Sequence, residues 1–138
     1  MTQNDLTPLQ VTAALITMSG RLLITQRPPH KKFGLLWEFP GGKQENGETL
    51  ESCLRREIRE ELALEIQVGD LFKKVCHDHS DFKIHLYAYW CHIVSGNMQL
   101  YEHVAYRWAK FGDLHQYTFT AADRDLVAAL QQLRFSPD

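Results

Sequence analysis

Cysteine is scarce in this 138-residue chain: Cys53, Cys76 and Cys91 are an odd number and form no CxxC pair. That excludes a disulfide framework and weighs against a cysteine zinc site, so the thiols read as small hydrophobes in a reducing compartment. Charge of one sign is lacking too. Fifteen Lys+Arg against seventeen Asp+Glu leave a formal net charge of −2, too little basic field to gather a nucleic-acid polymer. No apolar run approaches the roughly 18 residues of a membrane span, and MTQNDLTPLQ has neither the cationic nor the apolar region of a secretory leader. The reading is a cytoplasmic protein with no membrane partner. No stretch is rich in Pro, Gly or Ser, and no internal repeat divides the chain, so one domain over residues 1–138 is expected, loose only in its first six and last four residues. A chain of this size buries about two-thirds of its unfolded surface and needs no covalent or metal staple.

What is present is strand, then helix, then strand again. Residues 9–17 and 21–26 are β-branched and apolar runs joined by Met18-Ser19-Gly20, a hairpin signal. Residues 27–34 are breaker-rich and basic and read as a loop, and 35–39 as a short strand stopped by Pro40-Gly41-Gly42. From Glu48 to Leu62 there is no Gly or Pro, and Leu50, Leu54, Ile58 and Leu62 recur at i+4, which predicts a helix. Residues 65–76, 82–94 and 104–110 read as strands. Thr120 to Asp123 fit a capping box opening a second helix whose apolar stripe is Leu126, Val127, Leu130 and Leu133. This order is α+β, an α/β/α sandwich around a mixed sheet.

The first helix carries the chemistry. Glu57, Glu60 and Glu61 stand at i, i+3 and i+4, within an arc about 100° wide. Like charges so placed cost an isolated helix a few tenths of a kcal/mol per pair and invite a cation, part of which Arg56 supplies four residues before Glu60. Taken alone, the run also describes a solvated charged face. Upstream, Gly41-Gly42 can bring backbone close to a ligand, and Glu48 adds another acid six residues on. Mg²⁺ wants oxygen ligands and takes one or two carboxylates with waters and substrate phosphates, which such a face provides.

The segment GGKQENGETLESCLRREIREELAL resembles the Nudix box, G-x5-E-x7-R-E-U-x-E-E-x-G-U with U aliphatic. Gly42, Glu48, Arg56, Glu57, Ile58, Glu60, Glu61 and Leu64 fall on its positions. Ala63 stands where the box has its second Gly; there it costs about 1 kcal/mol in a left-handed C-cap but removes no ligand. The likeness to MutT-like pyrophosphohydrolases continues through LLITQRP, LWEFPGGK, HLYAYW, VAYRWAKFGDL and TAADRDLV, over about residues 9–134. It implies the Nudix fold, a mixed sheet between helices, and a Mg²⁺-dependent enzyme, with Mn²⁺ as a possible substitute. Its substrate would be a nucleoside triphosphate, split to monophosphate and pyrophosphate, and the protein a monomer or homodimer.

By the same resemblance, Glu57, Glu60 and Glu61 hold metal, with the Gly42 carbonyl and Glu102 as further ligands. Arg56 orients the acids, Glu48 supports the helix start, and Glu57 or Glu102 is the general base. Arg27 and Lys43 fall where such proteins handle phosphates. Phe39 is assigned to the base side, with its strand neighbour Trp37 in the core. Asp123 stands where the guanine-reading relative has Asn, and it reads equally as a capping acid; as an ionised carboxylate it would only accept hydrogen bonds. His77, His79, His85, His92 and His103 form no ligand array and receive no role. The expected substrate is oxidised dGTP, with CTP or a modified dCTP as the alternative. Because every box acid is kept, a non-catalytic nucleotide-binding module is the weaker reading.

Overall fold

The computed structural model describes residues 7–133; the segments expected to be loose lie outside the described residues. Strand β1 (Leu9–Met18) turns through Ser19 and Gly20 into β2 (Arg21–Gln26). Both turn residues have positive φ, 52° and 76°, as a two-residue hairpin turn with right-handed strand twist requires. Then come β3 (Trp37–Glu38), β4 (Gly41–Lys43), helix α1 (Leu50–Leu62), the long hairpin of β5 (Glu65–Asp78) and β6 (Lys83–Ser95), β7 (Ala105–Lys110), a 3₁₀ turn (Phe111–Gln116) and α2 (Ala121–Gln131). Two elements escaped the sequence reading. The Pro40-Gly41-Gly42 stop opens β4, which adds three residues against β1, from Val11↔Lys43 to Ala13↔Gly41. A 3₁₀ turn also follows β7.

β1 is the hub of a seven-stranded mixed sheet. It runs parallel to β6 from Leu9↔Ile84 to Ile16↔Cys91, antiparallel to β4, and pairs with β2 only at the hairpin. β2 pairs with β3 and β7, and β5 with β6, all antiparallel. Alternation along each strand sends side chains to opposite faces. Ala13, Leu15, Leu22, Ile24, Leu86 and Ala88 pack with Leu126, Val127 and Leu130 of α2. Ala14, Ile16, Leu23, Tyr89 and Cys91 pack with Leu54, Ile58 and Leu62 of α1. The result is the expected α/β/α sandwich, the central strands buried on both faces. Each fully buried Leu or Ile contributes about 1.5–3 kcal/mol.

The helix boundaries shift for identifiable reasons. α1 begins at Leu50 because Thr49 is its N-cap, accepting from the Ser52 N–H at 3.0 Å. Glu48 therefore lies outside the helix. Ala63 takes the left-handed C-cap (φ 58°, ψ 33°) with its N–H on the Arg59 carbonyl, as expected where the box has Gly. The capping box at Thr120 does not form: Thr120 makes no side-chain cap bond, and Asp123 is turned elsewhere. Cys53 and Cys91 are buried thiols, but Cys76 is exposed on β5 and is no core hydrophobe. Among the described residues, no helix is long and apolar enough to cross a membrane.

Candidate functional site

Arg56 is the organising cation. Its Nε and Nη2 grip both Glu48 oxygens at 2.5 and 3.1 Å, Nη1 reaches Glu57 at 3.2 Å and Glu60 at 3.1 Å, and Nη2 also donates to the Lys43 carbonyl. Only a planar guanidinium can satisfy that many acceptors at once. The bond from Arg56 holds the Glu48 carboxyl down at about 2, helped by the Glu45 N–H. The loop, the helix start and two box acids are thus tied to one side chain.

Behind this network the half-buried Glu57 and Glu61 line a cleft of about 750 Å³. Gly42 makes room for them. A Cβ there would approach all three carboxylate atoms of Glu57 to 2.7 Å or less. Burial pushes the Glu57 carboxyl up against the pull of Arg56. It pushes Glu61 up to about 9, with the neighbouring Glu57 and Glu38 charges adding to the rise and a Gly41 N–H bond opposing it. Glu61 Oε1 is buried with no hydrogen-bond partner. Two adjoining half-buried carboxylates, one with an orphaned buried oxygen, fit a hard cation, whose charge would reverse these shifts. Among the described residues no three Asp, Glu, His or Cys side chains enclose a metal site by themselves. Glu60 stays at the rim, its side chain 60% exposed. The Gly42 carbonyl, expected as a further ligand, accepts from Thr12 Oγ1 at 3.1 Å and lies 3.7 Å from Cys53 Sγ.

The opposite end of the cleft is apolar, with Val11, Ala13, Phe39, Ile84 and Leu86. Phe39 stacks on Phe119 with centroids 5.3 Å apart. Trp37 and Phe39 lie in one core cluster, because residues two apart on an extended chain share a face rather than opposing ones; of the two, Phe39 lines the cleft and Trp37 does not. Asp123, 5% exposed, accepts the Phe39 N–H at 2.8 Å through Oδ2. Burial, with the nearby Glu38 charge, pushes it up to about 8. Near neutrality it is mostly a neutral acid that donates as well as accepts, which corrects the acceptor-only reading.

The mouth is built by the 27–36 loop, the β5–β6 turn and residues 102–103. Arg27 lines the cleft but spends Nε on the Lys32 carbonyl (2.8 Å) and Nη1 on Glu38 (3.1 Å). Lys43 also lines it, exposed. Glu102 forms an ion pair with Lys31 and lines the same cleft as Glu57 and Glu61. Sequence reasoning missed Glu38, whose other oxygen meets His103 Nε2 at 2.8 Å, and gave no role to His77, His79 and His103, all of which line the cleft. The available signal was position: Glu38 lies between two aromatics, and His103 follows Glu102.

The family model described as the NUDIX domain matches residues 11–129. The chain is 37% identical over 126 residues to the CTP pyrophosphohydrolase of Escherichia coli (strain K12), covering 91% of this chain and 93% of that protein. It is 35% identical over 124 residues to the putative 8-oxo-dGTP diphosphatase 2 of Mycobacterium tuberculosis, covering 87% and 86%. The solution structure of the E. coli ORF135 protein superposes with a TM-score of 0.82 at 36% identity, covering 96% of this chain and 94% of that one.

Proposed function

The chain belongs to the Nudix hydrolase family, whose members generally use divalent metal ions, and from that premise we propose that it hydrolyses a nucleoside triphosphate to a monophosphate and pyrophosphate, with Mg²⁺ as the ion. The observation that carries this reading is the half-buried Glu57–Glu61 pair with its unpartnered Glu61 oxygen. Glu57 and Glu61 would hold the ion, with Glu60 adding charge from the rim. When bound, the cation neutralises phosphate charge and acidifies an attacking water. Arg56 keeps Glu57 and Glu60 facing that site, and Glu48 holds Arg56 in place. Glu57 or Glu102 takes the water proton as general base. Arg27, Lys43 and Lys31 place positive charge near the phosphates at the mouth, while Phe39 offers an aromatic surface to the base.

The proposed base is an oxidised guanine, as the 8-oxo-dGTP diphosphatases among the relatives suggest. A cytosine-type substrate is a second reading, favoured by the 37% identity to a CTP pyrophosphohydrolase. A neutral Asp123 offers one donor and one acceptor, which either base can meet. The test is product analysis with 8-oxo-dGTP, dGTP, CTP and 5-methyl-dCTP in Mg²⁺. Monophosphate and pyrophosphate are expected; orthophosphate and a diphosphate as first products would reject the proposed bond cleavage.

A further inference from the structure

Residues 96–104 contain no helix or strand, so no ladder sets the position of Glu102. What sets it is a series of point anchors. The Gln99 and Tyr101 N–H groups donate to the Leu62 and Glu61 carbonyls at the end of α1, at 2.9 and 3.1 Å, and the Val104 N–H donates to the Gln26 carbonyl at the end of β2, at 3.0 Å. Between them Glu102 reaches Lys31, and His103 Nε2 meets Glu38 Oε2 at 2.8 Å. The strap thus ties the carboxylate helix to the wall that carries Phe39.

His103 is the one side chain of the strap that is sunk into the protein, 2% exposed. Its Nδ1 is buried without a partner. A residue kept for bulk alone would be apolar, since an unpaired ring nitrogen is a cost that packing does not recover. The contact retained is the one to Glu38. With Oε1 on Arg27 and Oε2 on His103, Glu38 is held from both sides. Losing the imidazole would leave Glu38 free to turn toward Arg27 and would remove the only side-chain anchor next to Glu102.

We propose that His103 is a positioning residue: by clamping Glu38 it fixes the 99–104 strap and so places the Glu102 carboxylate for the reaction. This rests on the pyrophosphohydrolase reading. The variants are His103→Leu, which keeps bulk without a donor; His103→Gln, whose amide nitrogen reproduces the reach of Nε2; and His103→Asn, which reproduces Nδ1. His103→Leu should lower kcat by about tenfold or more with KM changed less than about threefold, and His103→Gln should recover most of that loss while His103→Asn does not. In a Glu102→Gln background His103→Leu should change kcat less than about twofold, because the effect runs through Glu102. In the metal-free protein, amide exchange at Tyr101 and Val104 should quicken by about tenfold in His103→Leu while Leu54 and Ile58 of α1 keep wild-type rates. Multiplicative losses with Glu102→Gln, or unchanged exchange at Tyr101 and Val104, would overturn the proposal. If His103→Leu loosens α1 as well, the Gln and Asn variants decide, and rescue by Asn rather than Gln overturns it. A wild-type protein inert toward every nucleotide with Mg²⁺ would refute the functional reading instead, and the exchange result would still stand for or against the strap.

Discussion

Asp123 Oδ2 accepts the Phe39 N–H at 2.8 Å across 84 positions of sequence. That bond joins the first turn of α2 to the strand leading into the box glycines, and it places a carboxyl group in a buried setting beside the Glu38 charge, where the Arg27 charge and the Phe39 N–H only partly offset the cost. Its pKa of about 8 against an ordinary 3.8 means that the folded protein holds a proton the unfolded chain has released over the interval between those values.

A pH dependence of stability follows. A carboxyl whose folded pKa is raised contributes stability below its unfolded pKa and loses it as pH rises toward the folded value. Without divalent ions, thermal stability should therefore fall between about pH 5 and pH 8. Asp123→Asn keeps the acceptor for Phe39 but cannot ionise, so it should flatten that fall. Parallel melting curves of the two proteins across this range would remove Asp123 as the cause.

The same geometry separates recognition from capping. With Thr120 making no side-chain cap bond, loss of Asp123 should not act mainly through the helix. Asp123→Ala should lower kcat/KM for the preferred base by about five- to 150-fold, equivalent to about 1–3 kcal/mol for a buried partner left unpaired. Equal losses across 8-oxo-dGTP, dGTP, CTP and 5-methyl-dCTP would assign the residue to the scaffold.

Arg56 allows a sharper substitution. Lys retains the charge but cannot grip both Glu48 oxygens while reaching Glu57 and Glu60. Arg56→Lys should reduce kcat by about tenfold or more, on the scale of lost support to a metal site. The 45–49 loop should also loosen, visible as faster exchange of the Glu45 amide, which now donates to Glu48 at 2.9 Å. Near-wild-type turnover would show that charge alone suffices.

Much of this site was legible because a helix converts spacing into geometry. Leu50, Leu54, Ile58 and Leu62 had to share one face, and that forced Glu57 and Glu61 toward the cleft. The rest depended on contacts between segments distant in sequence. That the Gly42 carbonyl meets Thr12 and Cys53 depends on the register of β4 against β1, and three residues containing two glycines carry no periodic signal. His103 had no motif to mark it; its role depends on Glu38, 65 positions away.

The half-buried acid pair gives the most direct test of the cation site. Without an ion, Glu57 and Glu61 crowd two carboxyl groups together, and Glu61, up at about 9, is mostly protonated near neutrality. Binding must then displace a proton, so Mg²⁺ should raise the melting temperature of the wild-type protein more at about pH 8.5 than at pH 6.5. At about 100 times the dissociation constant the stabilisation is about 2.7 kcal/mol, several degrees for a chain of this size. Glu61→Gln removes both the ligand and the cost of holding Glu61 protonated at a pH where the unfolded chain ionises it. It should melt higher than wild type without Mg²⁺, gain little when Mg²⁺ is added, and lose about a hundredfold or more in kcat. A Glu61→Gln protein with the full Mg²⁺ increment would place the ion elsewhere, and one that melts lower than wild type in the absence of Mg²⁺ would mean that holding Glu61 protonated carries no such cost.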